Sequence, residues 1–315
     1  MPASQTSSWA SPHRILLATD LVDLGFTLPV AIQQAKDYKA EVRIAHILTD
    51  ANVMLDEPPL GEHPESDRVR EAAEKKLKEA VATAVHAGIQ CSFHLVAGNV
   101  VVEITKLAEE WQADRLISGS HGTEKLHLHT LGSVAESIFH RIEVPVMVIG
   151  PKVQLTGRPP KERMRIVFAT PLDHDSRRMA EFALSVAEKH GAEISLLYVG
   201  PKVAKEHPSA ARVSEYARKM LQDLLSVRPL HKCRPVCEVV HGQPTEEILK
   251  YAKENSADMI ILGTSAHSTF SSHFVPGTAY RVLCESSCPV LVLKQESIWV
   301  STPKQDTRAF NVRHP

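Results

Sequence analysis

The sequence predicts an α/β protein of two tandem open parallel five-stranded sheets, each with helices on both faces. Three observations carry that expectation. Strand-like runs alternate with helical stretches in the order βαβαβαβαβ. The strand runs are apolar almost throughout, as suits strands covered on both sides. And the whole pattern occurs twice in the 315 residues.

Each element follows from its residues. After a polar N-terminal stretch, Arg14–Thr19 (RILLAT) forms an apolar strand ending at Asp20. Thr27 is expected to open the first helix with Pro29 in its first turn, where a missing N–H does no harm. Val30, Ala31, Ala35 and Tyr38 then recur at helical spacing. The second strand is Val42–Leu48 (VRIAHIL). A loop with Pro58, Pro59 and Gly61 leads to a long helix over 66–86, whose apolar stripe is Val69, Ala73, Leu77, Ala80, Val81 and Ala84. The third strand is Cys91–Val96, the third helix Val101–Gln112 and the fourth strand Asp114–Ser118. A loop, a helix opening at Gly132 and Ser133, and a fifth strand, Val144–Gly150 (VPVMVIG), complete the unit.

The pattern then restarts. RIVFATP at Arg165–Pro171 echoes RILLATD, EISLLYV at Glu193–Val199 echoes EVRIAHI, and CPVLVLK at Cys288–Lys294 echoes VPVMVIG. The stretch from His241 to Ala266 echoes Ala97 to Gly122 without a gap. A repeat this long is a domain duplication rather than a solenoid. The boundaries expected are a first domain over 12–151, a Pro-, Gly- and charge-rich linker over 152–163, a second domain over 164–294 and a polar tail over 295–315. The fifth strand of each copy is an apolar edge that needs cover. The simplest cover is the other copy, which gives an intramolecular pseudo-dimer; a homodimer of whole chains stays open.

One stretch carries chemistry: ISGSHGTEKLHLHTLGS, from Ile117 to Ser133. Glycines at a strand end let backbone N–H groups reach an anion without a Cβ in the way. A helix start adds unpaired N–H donors and a positive dipole end. In open parallel sheets ligands sit beyond the carboxyl ends of the strands, so Asp20 and Gly119 are expected to line one crevice.

With Gly119, Gly122, Gly132 and Ser133 in the spacing G-x2-G-x9-G-[ST], and Asp20 ending the first strand, the chain resembles the universal stress protein family in a tandem two-domain form, from Arg14 to Lys294. The resemblance implies a Rossmann-like, adenine-nucleotide alpha-hydrolase-like fold that holds ATP in the first domain, alone or with Mg²⁺ on its phosphates. It implies that Asp20 contacts the nucleoside, that Ile47 lies against adenine, and that Thr19, Ser120, His121 and Val134 flank the same pocket. From the residues alone, Asp20 also fits a turn cap, Ile47 ordinary core and His121 an exposed loop.

The second copy departs from this pattern. Pro171 stands where Asp20 does, Ala266 replaces Gly122, and the run to Gly277 and Thr278 is one residue longer. Pro276 removes an N–H donor beside Gly277. Weak or absent ATP binding is expected there. Cys233 with Cys237, and Cys284 with Cys288, lack the turn glycines of zinc knuckles, and His127 with His129 is a weak pair, so no metal site is expected.

Composition narrows the function classes. The chain is 43% hydrophobic and 23% charged, with 36 basic and 37 acidic residues and a net charge of −1. No global field draws in nucleic acid or an anionic membrane. No apolar run has the length of a membrane span, and MPASQTSSWASPHR has no apolar signal core, so a cytoplasmic protein is expected. Five cysteines fit a reducing compartment. The sequence offers no Walker lysine, no arginine-finger candidate and no positioned acid–base pair, which favours binding over turnover. The leading expectation is an adenine-nucleotide-binding regulatory protein of the stress response with an unidentified protein partner. The alternative is a nucleotide-independent scaffold. A slow ATPase or adenylyl-transferring enzyme ranks last, since SGGxDS and HIGH-type sequences are absent.

Overall fold

The computed structural model describes residues 9–49, 64–120, 137–138, 141–153, 163–202, 208–264 and 278–294. The first copy runs β1 (Arg14–Ala18), α1 (Leu24–Tyr38), β2 (Glu41–Leu48), α2 (Pro64–His86), β3 (Cys91–Ala97), α3 (Val100–Glu110), β4 (Arg115–Gly119) and β5 (Val146–Ile149). The second runs β6 (Arg165–Ala169), α4 (Ser176–His190), β7 (Glu193–Gly200), α5 (Pro208–Leu225), β8 (Arg234–His241), α6 (Pro244–Glu254), β9 (Met259–Thr264), α7 (Thr278–Glu285) and β10 (Val290–Lys294). Ser137, Ile138 and Arg141, just before β5, are helical.

The two sets of five strands join into one ten-stranded sheet in the order β3-β2-β1-β4-β5-β10-β9-β6-β7-β8. Every neighbour pair is parallel except β5 with β10, which is antiparallel. In that central pair Met147 faces Leu291, its own counterpart in the repeat, while Val146 faces Val292 and Val148 faces Val290. The register therefore places a pseudo-two-fold axis between Met147 and Leu291. Both side chains are fully buried, each contributing roughly 1.5–3 kcal/mol by leaving water.

Alternation along the strands divides the core into two layers. Ile15, Leu17, Met147 and Leu291 pack with α1, α2, α4 and α5 on one face. Leu16, Ala18, Val148 and Val292 pack with α3, α6, α7, Ile138 and Ile142 on the other. On the first face the axis is marked again: Tyr38 and His190, also counterparts, meet with Nε2 of His190 2.8 Å from the Tyr38 hydroxyl and their rings edge to face. Beside them Arg115 is fully buried. Its guanidinium donates to the Trp9 carbonyl at 3.0 Å and to Gln34, and lies 5.1 Å from the centre of the Tyr38 ring. The corresponding residue of the second copy is the apolar Met259.

Two sequence expectations change. Helix α1 begins at Leu24, before Thr27, and Pro29 lies inside it rather than in its first turn. The cause is the turn after β1, where Asp20 Oδ1 takes the N–H groups of Val22 and Asp23 and sets the chain up to enter the helix early. Thr27 behaves as an interior residue, its hydroxyl donating to the Asp23 carbonyl at 3.0 Å. Val69, assigned to the buried stripe of α2, is 60% exposed, and burial in that helix begins at Ala73.

Candidate functional site

In each half the strand order reverses beside the first strand, since β1 is flanked by β2 on one side and β4 on the other. Helix α1, after β1, packs on one face, and Ile138 and Ile142, after β4, pack on the other, which opens a crevice beyond the two carboxyl ends. Thr19 and Asp20 enter it from β1, and Gly119 and Ser120 from β4, held in register by the pairing of Ala18 with Ser118.

The turn after β1 is fixed by its side chains. Leu21 takes a left-handed φ of 71°, and its N–H donates to Thr19 Oγ1 at 2.9 Å. Asp20 Oδ1 accepts from Val22 at 2.9 Å and from Asp23 at 3.1 Å. Asp20 is only partly buried. The Thr19 carbonyl accepts from Nδ1 of His46 at 2.9 Å, because a carbonyl can only accept. The other ring nitrogen of a neutral His46 is thereby left as an acceptor.

Asp23 is the residue that sequence reasoning missed. It is buried to 5% exposure, accepts a hydrogen bond from the Thr19 hydroxyl and takes the backbone N–H of Gly119. Burial pushes its carboxyl up to about 6; the Thr19 hydroxyl opposes that rise and the nearby Asp20 charge adds to it. A Cβ on Gly119 would run into this carboxylate. The absence of a side chain at 119 is thus required by a neighbour within the chain. The signal available was an aspartate just before a helix, a favoured N-cap residue. It was hidden by placing the helix start at Thr27. Asp23 does stand at the N-cap, but makes no side-chain cap bond, because its oxygens are turned toward Thr19 and Gly119.

Thr19, Asp20, Gly119 and Ser120 come together at this crevice. Ile47 is buried in the layer containing Ala18, Ala45 and Leu107. His121, Gly122, Gly132, Ser133 and Val134 lie outside the described residues, as do His127, His129, Ala266, Pro276 and Gly277. The described part is acidic. Carboxylates suit hydroxyl donors or a cation and would repel phosphate, so an anionic end would have to lie toward the glycine loop.

The second crevice is built differently. Thr170 donates to Ser176 Oγ at 2.8 Å, and Ser176 donates to Asp173 Oδ1 at 2.9 Å. A neutral hydroxyl thus takes over from Asp23 as the partner of the threonine, while Asp175, the N-cap counterpart of Asp23, lies 2.9 Å from Nε2 of His174. Asp173 caps the turn by accepting the Asp175 N–H at 3.1 Å. A Cβ on Gly263, the counterpart of Gly119, would lie 2.7 Å from the Met179 methyl. Apolar sulfur-bearing bulk fills the floor, leaving a cavity of about 10 Å³ among Phe168, Pro171, Ser176 and Met179, room for about one water.

Among the described residues no three His, Cys, Asp or Glu side chains gather as a metal site. All five cysteines are free thiols. Burial pushes Cys284 up to about 12 and Cys91 and Cys233 up to about 11, which keeps them protonated and unreactive. No described helix is long and apolar enough to cross a membrane.

The model of the universal stress protein family matches the chain twice, over residues 12–150 and 162–294. The chain belongs to this family. A universal stress protein of Methanocaldococcus jannaschii is 25% identical over 143 residues, 42% of this chain and 82% of the relative. A Thermus aquaticus universal stress protein is 28% identical over 130 residues, 39% and 91% of the two chains. Among solved structures, that of a universal stress protein from Archaeoglobus fulgidus covers 91% of this chain and 97% of its own, with a TM-score of 0.68 and 23% identity. That likeness speaks to the fold: tandem universal stress protein units of the Rossmann-like, adenine-nucleotide alpha-hydrolase type.

Proposed function

We propose that the first unit of this universal stress protein, residues 12–151, holds ATP, and that occupancy regulates a protein partner in a cytoplasmic stress response. The second unit, 164–294, follows a linker over 152–163, precedes a tail over 295–315 and leaves its own crevice without nucleotide. The observation that carries this reading is the contrast between the crevices. Asp20 stands at the reversal point of the first with Asp23 under Gly119, whereas in the second Pro171 stands at the position of Asp20, Asp173 is taken up by the turn, and the Met179 side chain lies under Gly263. A carboxylate such as Asp20 accepts hydrogen bonds from the ribose hydroxyls. Gly122, Gly132 and Ser133 take the phosphates, with any Mg²⁺ arriving on them, while Gly119, where the glycine loop starts, and the flanking Ser120, His121 and Val134 line the same pocket. Ile47 supports the adenine side.

Calorimetric titration of ATP into nucleotide-stripped protein tests this. One ATP per chain is expected, with Asp20→Ala weakening binding roughly ten- to a hundredfold, the worth of a charged hydrogen bond. Two ATP per chain would overturn the reading of the second unit. None would overturn the nucleotide reading. One observation favours a second reading, a scaffold independent of nucleotide: β5 and β10 already join the copies into one sheet. Under it, partner capture in a pull-down is the same with and without ATP.

A further inference from the structure

At the far carboxyl end of the second copy, Ser214 of α5 and His241 of β8 form a pair that the nucleotide reading does not use. The Ser214 hydroxyl lies 2.7 Å from Nε2 of His241, and Nδ1 of the same ring lies 3.1 Å from the Pro201 carbonyl. A carbonyl only accepts, so Nδ1 carries the proton. Nε2 of the neutral ring is then an acceptor, and Ser214 donates to it. A serine hydrogen-bonded to an imidazole nitrogen whose partner nitrogen is anchored is the arrangement of an activated nucleophile.

The pair is built into the fold. His241 sits opposite Gly200 across β7 and β8, and a Cβ on Gly200 would lie 2.9 Å from Nδ1 and 3.1 Å from Cε1 of the ring. The same two positions of the first copy are Leu48 and Ala97, also paired across their strands. Large opposite small has become small opposite large, exchanging an apolar side chain for a base. Gly200, against the ring, also lines a cavity of about 300 Å³ with Val199, Pro201, Lys202, Gly242, Gln243 and Pro244, into which substrate would enter from beside the pair.

We propose that Ser214 is a nucleophile activated by His241, and that it takes the acyl group of a small activated carboxylic ester. Its Oγ bonds to the carbonyl carbon as the ester C–O bond breaks. The hydroxyl proton passes to Nε2 and on to the departing alkoxide. Water, giving a proton to Nε2, then attacks the acyl-serine, and Nε2 returns that proton to Ser214 Oγ as it leaves, so that ester and water become acid and alcohol.

The test is labelling of the full-length protein with an alkyl fluorophosphonate, in which Ser214 Oγ displaces fluoride from phosphorus, followed by peptide mapping. Label on Ser214 is expected in the wild type and is lost in Ser214→Ala. His241→Gln is expected to slow labelling about a hundredfold, the scale of general-base assistance. The double variant Gly200→Leu, His241→Ala restores the first copy's apolar pair and so keeps the packing while removing the base; it is expected to label as slowly as His241→Gln. No label on the wild type, label elsewhere, or equal rates in wild type and His241 variants would each overturn the proposal. ATP is absent from every arm, so the outcome is independent of the nucleotide reading.

Discussion

Replacing Asp23 by Asn isolates the charge at the floor of the first crevice. In the folded chain this carboxyl titrates at about 6, against 3.8 as a free side chain, because burial disfavours its ionised form. The folded state therefore holds the proton more tightly than the unfolded state. Acidification through the window from about 6 to 3.8 favours folding, and above about 6 the full penalty is present. At about 1.4 kcal/mol per pH unit, the gap amounts to about 3 kcal/mol at pH 8. Asn keeps the shape: its carbonyl can accept the Gly119 N–H, and its amide can donate to Thr19 Oγ1. Urea unfolding of both proteins at pH 8, 6 and 4 is the assay. Asp23→Asn is expected to be the more stable protein at pH 8 by up to about 3 kcal/mol, with the advantage shrinking to near zero at pH 4. Comparing the two proteins cancels the other titrating groups. A difference that does not change with pH would refute burial as the force on this carboxyl.

Three further outcomes follow from the same contacts. Gly119→Ala is expected to destabilise by about 1–3 kcal/mol through the collision with Asp23. Combining it with Asp23→Ala should recover part of that loss, a coupling read from a double-mutant cycle. His190 is held below its usual range by burial, with Arg115 and Lys189 adding to the effect and Asp37 opposing it. Its contribution is complete above pH 6.5 and is lost as pH falls below it, so His190→Phe should flatten the acid side of the stability profile, opposite in sign to Asp23→Asn. Pro171→Asp should not raise the ATP stoichiometry, because the Met179 side chain still occupies the floor of the second crevice; a second equivalent in the calorimeter would show the proline alone to be limiting.

Much of the fold was legible in the sequence because its strands are short, apolar and repeated. Period and order were enough to place eight of the ten strands to within two residues at their ends, β8 and β9 having been read only as part of the repeat, and β5 pairs with β10, each covering the other's apolar edge. The candidate site was legible only where a residue type has one obvious use. The meeting of Asp20 and Gly119 at one crevice could be read from their strand ends, and Asp20 as a turn cap from its type; Asp23 could not, because its role depends on where α1 begins. That boundary is set by a side chain bonding to the backbone two and three residues on. A proline inside the helix misled the placement further. Arg115 and the Ser214–His241 pair were hidden for another reason: their partners are distant in the chain, and no local pattern announces such a contact.

The two copies agree along the middle of the sheet and part company at its carboxyl ends, and the geometry explains both. On the pseudo-two-fold axis each residue meets its own counterpart, as Met147 meets Leu291 and Tyr38 meets His190. A change in one must fit the other, which holds the shared interface to matched volumes. At the strand ends no such self-contact exists, and each copy can be altered alone. Asp23 and Met179 under Gly119 and Gly263, or Leu48 with Ala97 against Gly200 with His241, are alternatives of this kind. The duplication thus leaves one continuous sheet with ends that are chemically unequal: a buried carboxylate under Gly119 in the first copy, and a methionine under Gly263 with a serine–histidine pair at β8 in the second. A buried carboxylate that costs the fold about 3 kcal/mol at pH 8 sits at the end where a ligand is expected, which is where a protein tolerates such a cost.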